Sequence, residues 1–151
     1  MMFRLRIPGL ARDHADPNPA DTLFSAISDY RRTLSLTPLH RNPSVESTAK
    51  KRSELAMTDW ELSGVLRHDN PNVAGDRYFE LLPAYGISSW EWAGEVLALN
   101  GGFADPIAEA MRGWDQSVTH REILVGDWDQ VGVGITSRGG VGVYVAVFLD
   151  S

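Results

Sequence analysis

Hydrophobic and polar residues alternate most regularly in the C-terminal third of the chain. The stretches DQVGVGITS and GVGVYVAVFLD are rich in β-branched residues, and the RGG between them is typical of a tight hairpin turn. Both faces of the second stretch are apolar: one carries Val141, Val143, Val145 and Val147, and the other carries Tyr144, Ala146 and Phe148. This pattern predicts an antiparallel hairpin whose second strand is covered on both sides.

Upstream of the hairpin, apolar residues recur at the three- and four-residue spacing of amphipathic helices. The pattern predicts a first helix behind an N-cap at Asp21 and a second over residues 44–64, with Val45, Ala49, Ala56 and Trp60 as its buried stripe. A short third helix ends at Gly86. The segment SSWEWAGEVLAL carries the aromatic and β-branched residues of a strand, despite its internal glycine.

The last predicted helix has a clear start signal. Asp105 is placed as its N-cap and Pro106 at its first helical position. Its apolar ridge consists of Ile107, Met111 and Trp114, and the helix should finish near His120. Helices that precede an antiparallel hairpin predict an α+β protein with helix layers above and below one sheet.

Domain organisation follows from the composition of the first twenty residues. The segment ARDHADPNPA combines charge and proline with little apolar content, so we expect a mobile leader over residues 1–20 and one domain over residues 21–151. The opening MMFRLRIPGL lacks the apolar run of a signal peptide. The protein is therefore expected either to be cytoplasmic or to have lost an export signal from this version of the chain.

Charge and composition exclude several function classes. The 151-residue chain has a formal net charge of -6, so we expect neither nucleic acid nor an anionic membrane as a partner. It has no cysteine, which excludes disulfides and a thiol nucleophile. No stretch is apolar for long enough to predict insertion into a membrane.

The histidines offer only weak signals when each is considered singly. We interpret His14 as a solvated residue of the leader and His40 as a turn or cap residue. His68 lies beside Asp69, which could orient its imidazole, and His120 stands alone. No local spacing of histidines predicts a metal site.

Glu95 is unusual because its sequence neighbours are apolar on both sides. A buried carboxylate requires a partner or a raised pKa. Two interpretations stay open at this point: a structural, hydrogen-bonded glutamate, or a ligand or general base in a cleft.

Other chemistries have little support. Ser117 lacks the surrounding G-x-S-x-G of a serine hydrolase, and GVGITSRGG has no phosphate-binding lysine, so its glycines are better explained by close packing. Two interpretations are open for the tryptophans: they line a ligand site as an aromatic wall, or they are part of the hydrophobic core. The residues concerned are Trp90, Trp92, Trp114 and Trp128.

Three stretches, taken in order, resemble the CAP superfamily, also called SCP-like or pathogenesis-related-1-like. They are RHDNPNVAGDR, AYGISSWEWAGEVLA, and WDQSVTHREIL followed by VGVGI and VYVAVF. The small cysteine-free bacterial branch is the best match, and the Trp-x-x-Ser-x-x-His-Arg block is its specific part. The segment from Tyr30 to Met57 resembles the family's two opening helices, with Arg32, Pro38 and Leu39 at the expected positions.

The resemblance implies a three-layer α-β-α sandwich with a small central antiparallel sheet. It also implies a cleft lined by His68, Glu95, Ser117 and His120, in which His68, His120 and Glu95 hold a divalent metal such as zinc. Ser117 stands where eukaryotic members have a second acid, and Val96 replaces an asparagine. The segment HREIL is one residue shorter than the family pattern. These departures remove hydrogen-bonding groups expected near the cleft.

The resemblance further implies an extracellular or cell-envelope protein that binds a small molecule, a lipid or a protein partner through this cleft. The substitutions favour a non-enzymatic role. A metal-dependent hydrolase that uses the same three residues, and a structural module with a vestigial site, are the alternatives.

Overall fold

The computed structural model describes residues 3–5, 18–69 and 77–151. The helices are α1 (Pro19–Thr33), α2 (Pro43–Ser63), α3 (Tyr78–Ala84), α4 (Pro106–Gln116) and α5 (Val118–Leu124). The strands are β1 (Phe3–Leu5), β2 (His40–Arg41), β3 (Trp92–Gly101), β4 (Gln130–Arg138) and β5 (Val141–Asp150). No helix in these ranges combines the length and apolarity needed to span a bilayer.

All five strands form one sheet, in the order β1-β3-β5-β4-β2. The central strand β5 is antiparallel to β4, as the predicted hairpin requires, and it is also antiparallel to β3. The two edge strands, β1 and β2, pair in parallel and were not predicted. With three and two residues they are too short for an alternating pattern, and His40 is the first residue of β2 rather than a turn or cap residue.

Helices cover both faces of the sheet, so the α-β-α sandwich is confirmed. One layer contains α1, α4 and α5, whose buried residues Leu23, Ile27, Ile107, Ala110, Trp114 and Leu124 pack against Tyr144, Ala146 and Phe148 of β5. The other layer contains α2 and α3, whose residues Val45, Ala49, Ala56, Met57 and Leu82 pack against Val143, Val145 and Val147. The two apolar faces of β5 are therefore each buried, as expected.

Glycines in β4 allow α2 to approach the sheet closely. A Cβ atom on Gly132 would lie 2.2 Å from backbone atoms of Val45 and Glu46, and one on Gly134 would lie 2.3 Å from the backbone carbon of Ala49. Ordinary side chains do not tolerate such contacts with backbone. The glycine-rich stretch therefore serves packing and not phosphate binding.

Two helix starts differ in how well they were predicted. Asp105 is the N-cap of α4 as expected, and its carboxylate accepts a hydrogen bond from the Ala108 backbone N–H at 3.0 Å. The N-cap of α1 is Asn18, not Asp21, because Pro19 begins the helix and Asp21 lies in its first turn.

The leader prediction lies largely outside the described residues, which omit 1–2 and 6–17 and with them His14. Its mobility stays a prediction. Within that span, β1 pairs with the end of β3 and α1 begins at Pro19, two residues before the expected boundary.

An arginine of α1 is buried beneath the end of α5. Arg31, which is 2% exposed, donates to the carbonyls of Leu124 and Gly126 at 2.9 and 2.8 Å. Arg32, which the resemblance singled out, lies on the solvent side and pairs with Asp29. The carbonyls that Arg31 satisfies belong to the end of α5, so this contact holds that helix in place.

Candidate functional site

Three of the predicted cleft residues come together from three separate elements. His68 lies in the loop after α2, Glu95 in β3 and His120 in α5. The Nδ1 atom of His68 lies 2.9 Å from Oε1 of Glu95. The ring centroids of His68 and His120 are 6.2 Å apart, with the ring planes inclined by 45°. Residues separated by up to 52 positions in sequence therefore share one site.

The site is built around the part of β3 that β1 does not cover. The register pairs β1 only with Leu99, Asn100 and Gly101, whereas β5 accompanies β3 along its whole length. Glu95 precedes the covered stretch and, by alternation, shares its face with Leu97 and Leu99 of the α2 layer. Helix α5 contacts β3 from the other layer.

The buried carboxylate of Glu95 has a cationic partner, Arg52 of α2. The Nε atom of Arg52 donates to Oε2 at 2.8 Å, and its Nη2 atom donates to Oε1 at 3.3 Å. Both side chains are almost completely excluded from solvent, at 1% and 0% exposure. Charge pairing thus accounts for the burial of Glu95, as the structural interpretation required.

Sequence reasoning did not identify Arg52, although a signal was present. Arg52 lies three residues after Ala49 and four before Ala56, on the predicted buried stripe of α2. A charged residue at a core position requires a partner of opposite sign. Glu95, a carboxylate in apolar surroundings, has the required sign, but the sequence does not show that the fold brings the two residues together.

The two imidazoles occupy different environments. The His120 side chain is buried, and this burial, together with the nearby His68 ring, lowers the pKa of His120 to about 4. His120 is therefore neutral at neutral pH. The side chain of His68 is 53% exposed and donates from Nδ1 to the Glu95 carboxylate, so Nε2 is the ring nitrogen that this hydrogen bond leaves open.

Ser117 has a structural role that corrects one helix prediction. The expected single helix is interrupted at Ser117, whose extended backbone (φ -96°, ψ 122°) separates α4 from α5. Its hydroxyl accepts a hydrogen bond from the His120 backbone N–H at 3.4 Å, which makes it the N-cap of α5. His120 is consequently a residue of the first turn of a new helix and does not finish α4.

The replacement at Val96 lies away from the site. Val96 is fully buried in the cluster with α1 and α4, on the face of β3 opposite Glu95. Its substitution for asparagine therefore does not remove a group from the immediate surroundings of the Glu95 carboxylate.

The structure shows no three-ligand metal site among residues 3–5, 18–69 and 77–151, where no three histidine, aspartate or glutamate side chains are grouped so that they could hold a cation. Both oxygens of Glu95 already accept hydrogen bonds, Oε2 from Arg52 and Oε1 from Arg52 and His68. The donor set that remains suitable for a metal consists of the imidazoles of His68 and His120, and imidazole nitrogen suits zinc and similar transition metals.

The tryptophans do not form one aromatic wall. Trp114 is core, and Trp90 packs against the cluster on the opposite side of the sheet. Trp128 stacks on Phe148 with ring centroids 5.9 Å apart, and Trp92 is 70% exposed. The core interpretation thus applies to Trp114 and, in part, to Trp90 and Trp128.

Known structures share this fold over nearly the whole chain. An outer surface protein of Borrelia burgdorferi is 18% identical, with a TM-score of 0.68, over 93% of this chain and 98% of its own. An extracellular protein containing an SCP domain from Bacillus anthracis is 20% identical, with a TM-score of 0.69, over 93% of this chain and 45% of its own. NaASP2, solved with Zn²⁺, is 14% identical, with a TM-score of 0.53, over 91% and 83%.

At such identities these likenesses establish the fold alone, and no curated protein sequence matches the chain. The sequence profile described as the cysteine-rich secretory protein family, CAP, matches residues 24–149. That match spans both helical layers and the strands β2 to β5 between them. The absence of cysteine agrees with the cysteine-free branch that the motifs resemble. The chain belongs to the CAP family.

Proposed function

We propose that this CAP domain is a binding module whose cleft takes up a transition-metal cation such as zinc through His68 and His120. The observation that carries the proposal is the convergence of these two imidazoles, 6.2 Å apart, beside the buried Glu95. Two ligands leave open positions, so binding is weak and a small molecule or a partner's side chain completes the coordination.

The protonation state of His120 and the orientation of His68 support cation binding. A metal ligand must offer a nitrogen lone pair, and the depressed pKa of His120 keeps its ring neutral at neutral pH. The hydrogen bond from His68 Nδ1 to Glu95 orients Nε2 as the second donor, the arrangement found around metal-bound histidines. NaASP2, which shares the fold, has been solved with Zn²⁺.

A metal-dependent hydrolase is the rival proposal, and the cleft supports it less well. Such an enzyme needs a general base close to the metal-bound water. Glu95 is the carboxylate beside the histidines, and Arg52 and His68 hold both of its oxygens. Ser117 is occupied as a helix cap. Binding without turnover is therefore the better-supported function.

We further propose an extracellular or cell-envelope location. Two proteins of the same fold are described as an outer surface protein and an extracellular protein. Detection of the full-length native product in the culture medium or the envelope fraction, together with its absence from the cytoplasm, is the expected outcome. A product confined to the cytoplasm would refute this location and leave the binding proposal intact.

Calorimetric titration with ZnCl₂ tests the cation proposal. The wild-type protein should bind one zinc ion near pH 7, and binding should weaken as the pH falls because protons compete for the imidazole nitrogens. His68→Ala and His120→Ala should each abolish this binding. His40→Ala is the matched control, because His40 is an exposed histidine in β2, and it should leave the affinity unchanged.

Equal zinc affinity in all four proteins would mean adventitious surface binding and would refute the proposal. The same zinc-loaded samples should show no hydrolysis of ester or peptide substrates. Hydrolysis that depends on both His68 and His120 would support the enzyme instead.

A further inference from the structure

We propose that Arg52 and Asp59 of α2 are positioning residues for His68. Arg52 also holds the Glu95 carboxylate as the hydrogen-bond acceptor of His68, so that Glu95 does not coordinate a cation. The two residues are seven positions apart, or about two helical turns, and therefore lie on one face of α2. Only the cation-selectivity part of this inference rests on the proposed function.

Arg52 holds His68 by two routes. Its guanidinium fixes both oxygens of Glu95, and Oε1 of Glu95 in turn accepts from Nδ1 of His68. The Nη2 atom of Arg52 also donates to the backbone carbonyl of Arg67 at 3.3 Å, one residue before His68. One buried guanidinium thus contacts the main chain next to His68 and the carboxylate that orients its ring.

Asp59 fixes the same loop from the following turns of the helix. Its carboxylate accepts from Nε and Nη2 of Arg67 at 2.9 and 3.1 Å, a two-point ion pair. Asp59 is only 4% exposed, and the Ser63 hydroxyl donates to its backbone carbonyl at 2.7 Å. A two-point pair with one buried partner has a defined geometry, whereas fully exposed pairs leave long side chains free to move.

The described part of this loop, residues 64–69, is anchored ahead of His68. It starts at Gly64, the left-handed C-cap of α2, and Leu66 is buried in the α2 layer. His68 follows directly after Arg67, whose backbone carbonyl and side chain are both held. The side chain of His68 is nevertheless 53% exposed, so the loop presents a fixed imidazole to the cleft.

This arrangement determines which cations the cleft selects. Calcium and magnesium require several oxygen ligands. Both oxygens of Glu95 already accept hydrogen bonds from Arg52 or His68. Zinc and nickel accept imidazole nitrogen. The cleft should therefore bind zinc or nickel, and millimolar calcium or magnesium should not displace them.

The first test measures the tautomer of His68 by ¹⁵N NMR of the imidazoles, without metal and at a pH at which the rings are neutral. In the wild type, the neutral His68 ring should carry its proton on Nδ1. Arg52→Lys keeps the charge but loses the planar fork, so the His68 signals should shift towards a mixture of tautomers. Arg138→Lys, which alters an exposed arginine paired with Glu61, is the matched control and should leave the His68 signals unchanged.

The second test measures zinc affinity for the same proteins. Arg52→Lys should weaken zinc binding by about 10–100-fold, the usual range for losing a group that orients a ligand. Asp59→Asn should weaken it in the same direction, since it loosens Arg67. Far-ultraviolet circular dichroism should show that these variants fold. If Arg52→Lys fails to fold, Asp59→Asn alone decides the outcome.

Two results would overturn the inference. A folded Arg52→Lys or Asp59→Asn protein with the wild-type tautomer and zinc affinity would show that these residues do not position His68. Displacement of zinc by calcium would show that Glu95 coordinates the cation. If the wild type binds no zinc, the proposed function fails, but the tautomer measurement still decides whether Arg52 positions His68.

Discussion

Removal of the Trp114 indole should strongly destabilise the layer of α1, α4 and α5 against the sheet. Trp114 is 1% exposed, and its Nε1 atom donates to the Leu97 carbonyl of β3 at 2.9 Å. Trp114→Ala should lower the free energy of unfolding by ~3–5 kcal/mol, the range for deleting a buried large aromatic. The lost hydrogen bond adds about 1 kcal/mol and places the expected value near the upper end.

Urea denaturation followed by circular dichroism measures this loss without relying on tryptophan fluorescence. In a domain of this size each kcal/mol shifts the melting temperature by roughly 2–4 °C, so Trp114→Ala should melt about 8–20 °C lower. Trp114→Phe keeps most of the ring and should lose only ~1–2 kcal/mol.

Trp92→Ala is the matched control, because Trp92 is 70% exposed, and it should change the unfolding free energy by no more than about 0.5 kcal/mol. A Trp114→Ala protein that melts within a degree of the wild type would refute the packing of α4 against β3.

Two further predictions concern pH and packing. His120 has a folded-state pKa of about 4, below its ordinary value of 6.5, so the unfolded chain takes up the proton at a higher pH than the folded chain does. In the metal-free protein, the free energy of unfolding should therefore be highest above pH 6.5. It should fall as the pH drops towards 4, by at most about 3 kcal/mol. Urea unfolding at several pH values should show a shallower slope for His120→Ala, and an unchanged slope would contradict the assignment. Gly134→Ala should cost ~1–3 kcal/mol or more because the added carbon would meet the α2 backbone at Ala49. Gly139→Asn, at an open turn position with φ of 59°, is its control, and equal melting temperatures for the two variants would refute the close approach.

Periodicity by itself determined the long elements of this protein. Helix α2 and strands β3 to β5 each bury apolar residues at the spacing of their element, so this spacing predicts them. The two apolar faces of β5 predicted the layers, because a strand buried on both sides needs cover on both sides. The RGG stretch likewise predicted the turn between β4 and β5, where Gly139 and Gly140 both adopt positive φ.

Short elements and helix breaks were decided by tertiary contacts. Strands β1 and β2 exist only because β3 and β4 offer them partners. The break at Ser117 depends on a side-chain hydrogen bond that competes with a continuous helix. Local propensity contains neither kind of information, because it does not describe what lies beside a segment in space.

The candidate site was likewise determined partly by sequence and partly by tertiary structure. Motif resemblance selected His68, Glu95 and His120, and local sequence identified Glu95 as a carboxylate in apolar surroundings. Only the folded chain brought Arg52 and Asp59 of α2 to the loop that carries His68. Buried charges find their partners across the fold, at whatever sequence separation the packing of helix on sheet produces, so their pairing is a property of the tertiary structure.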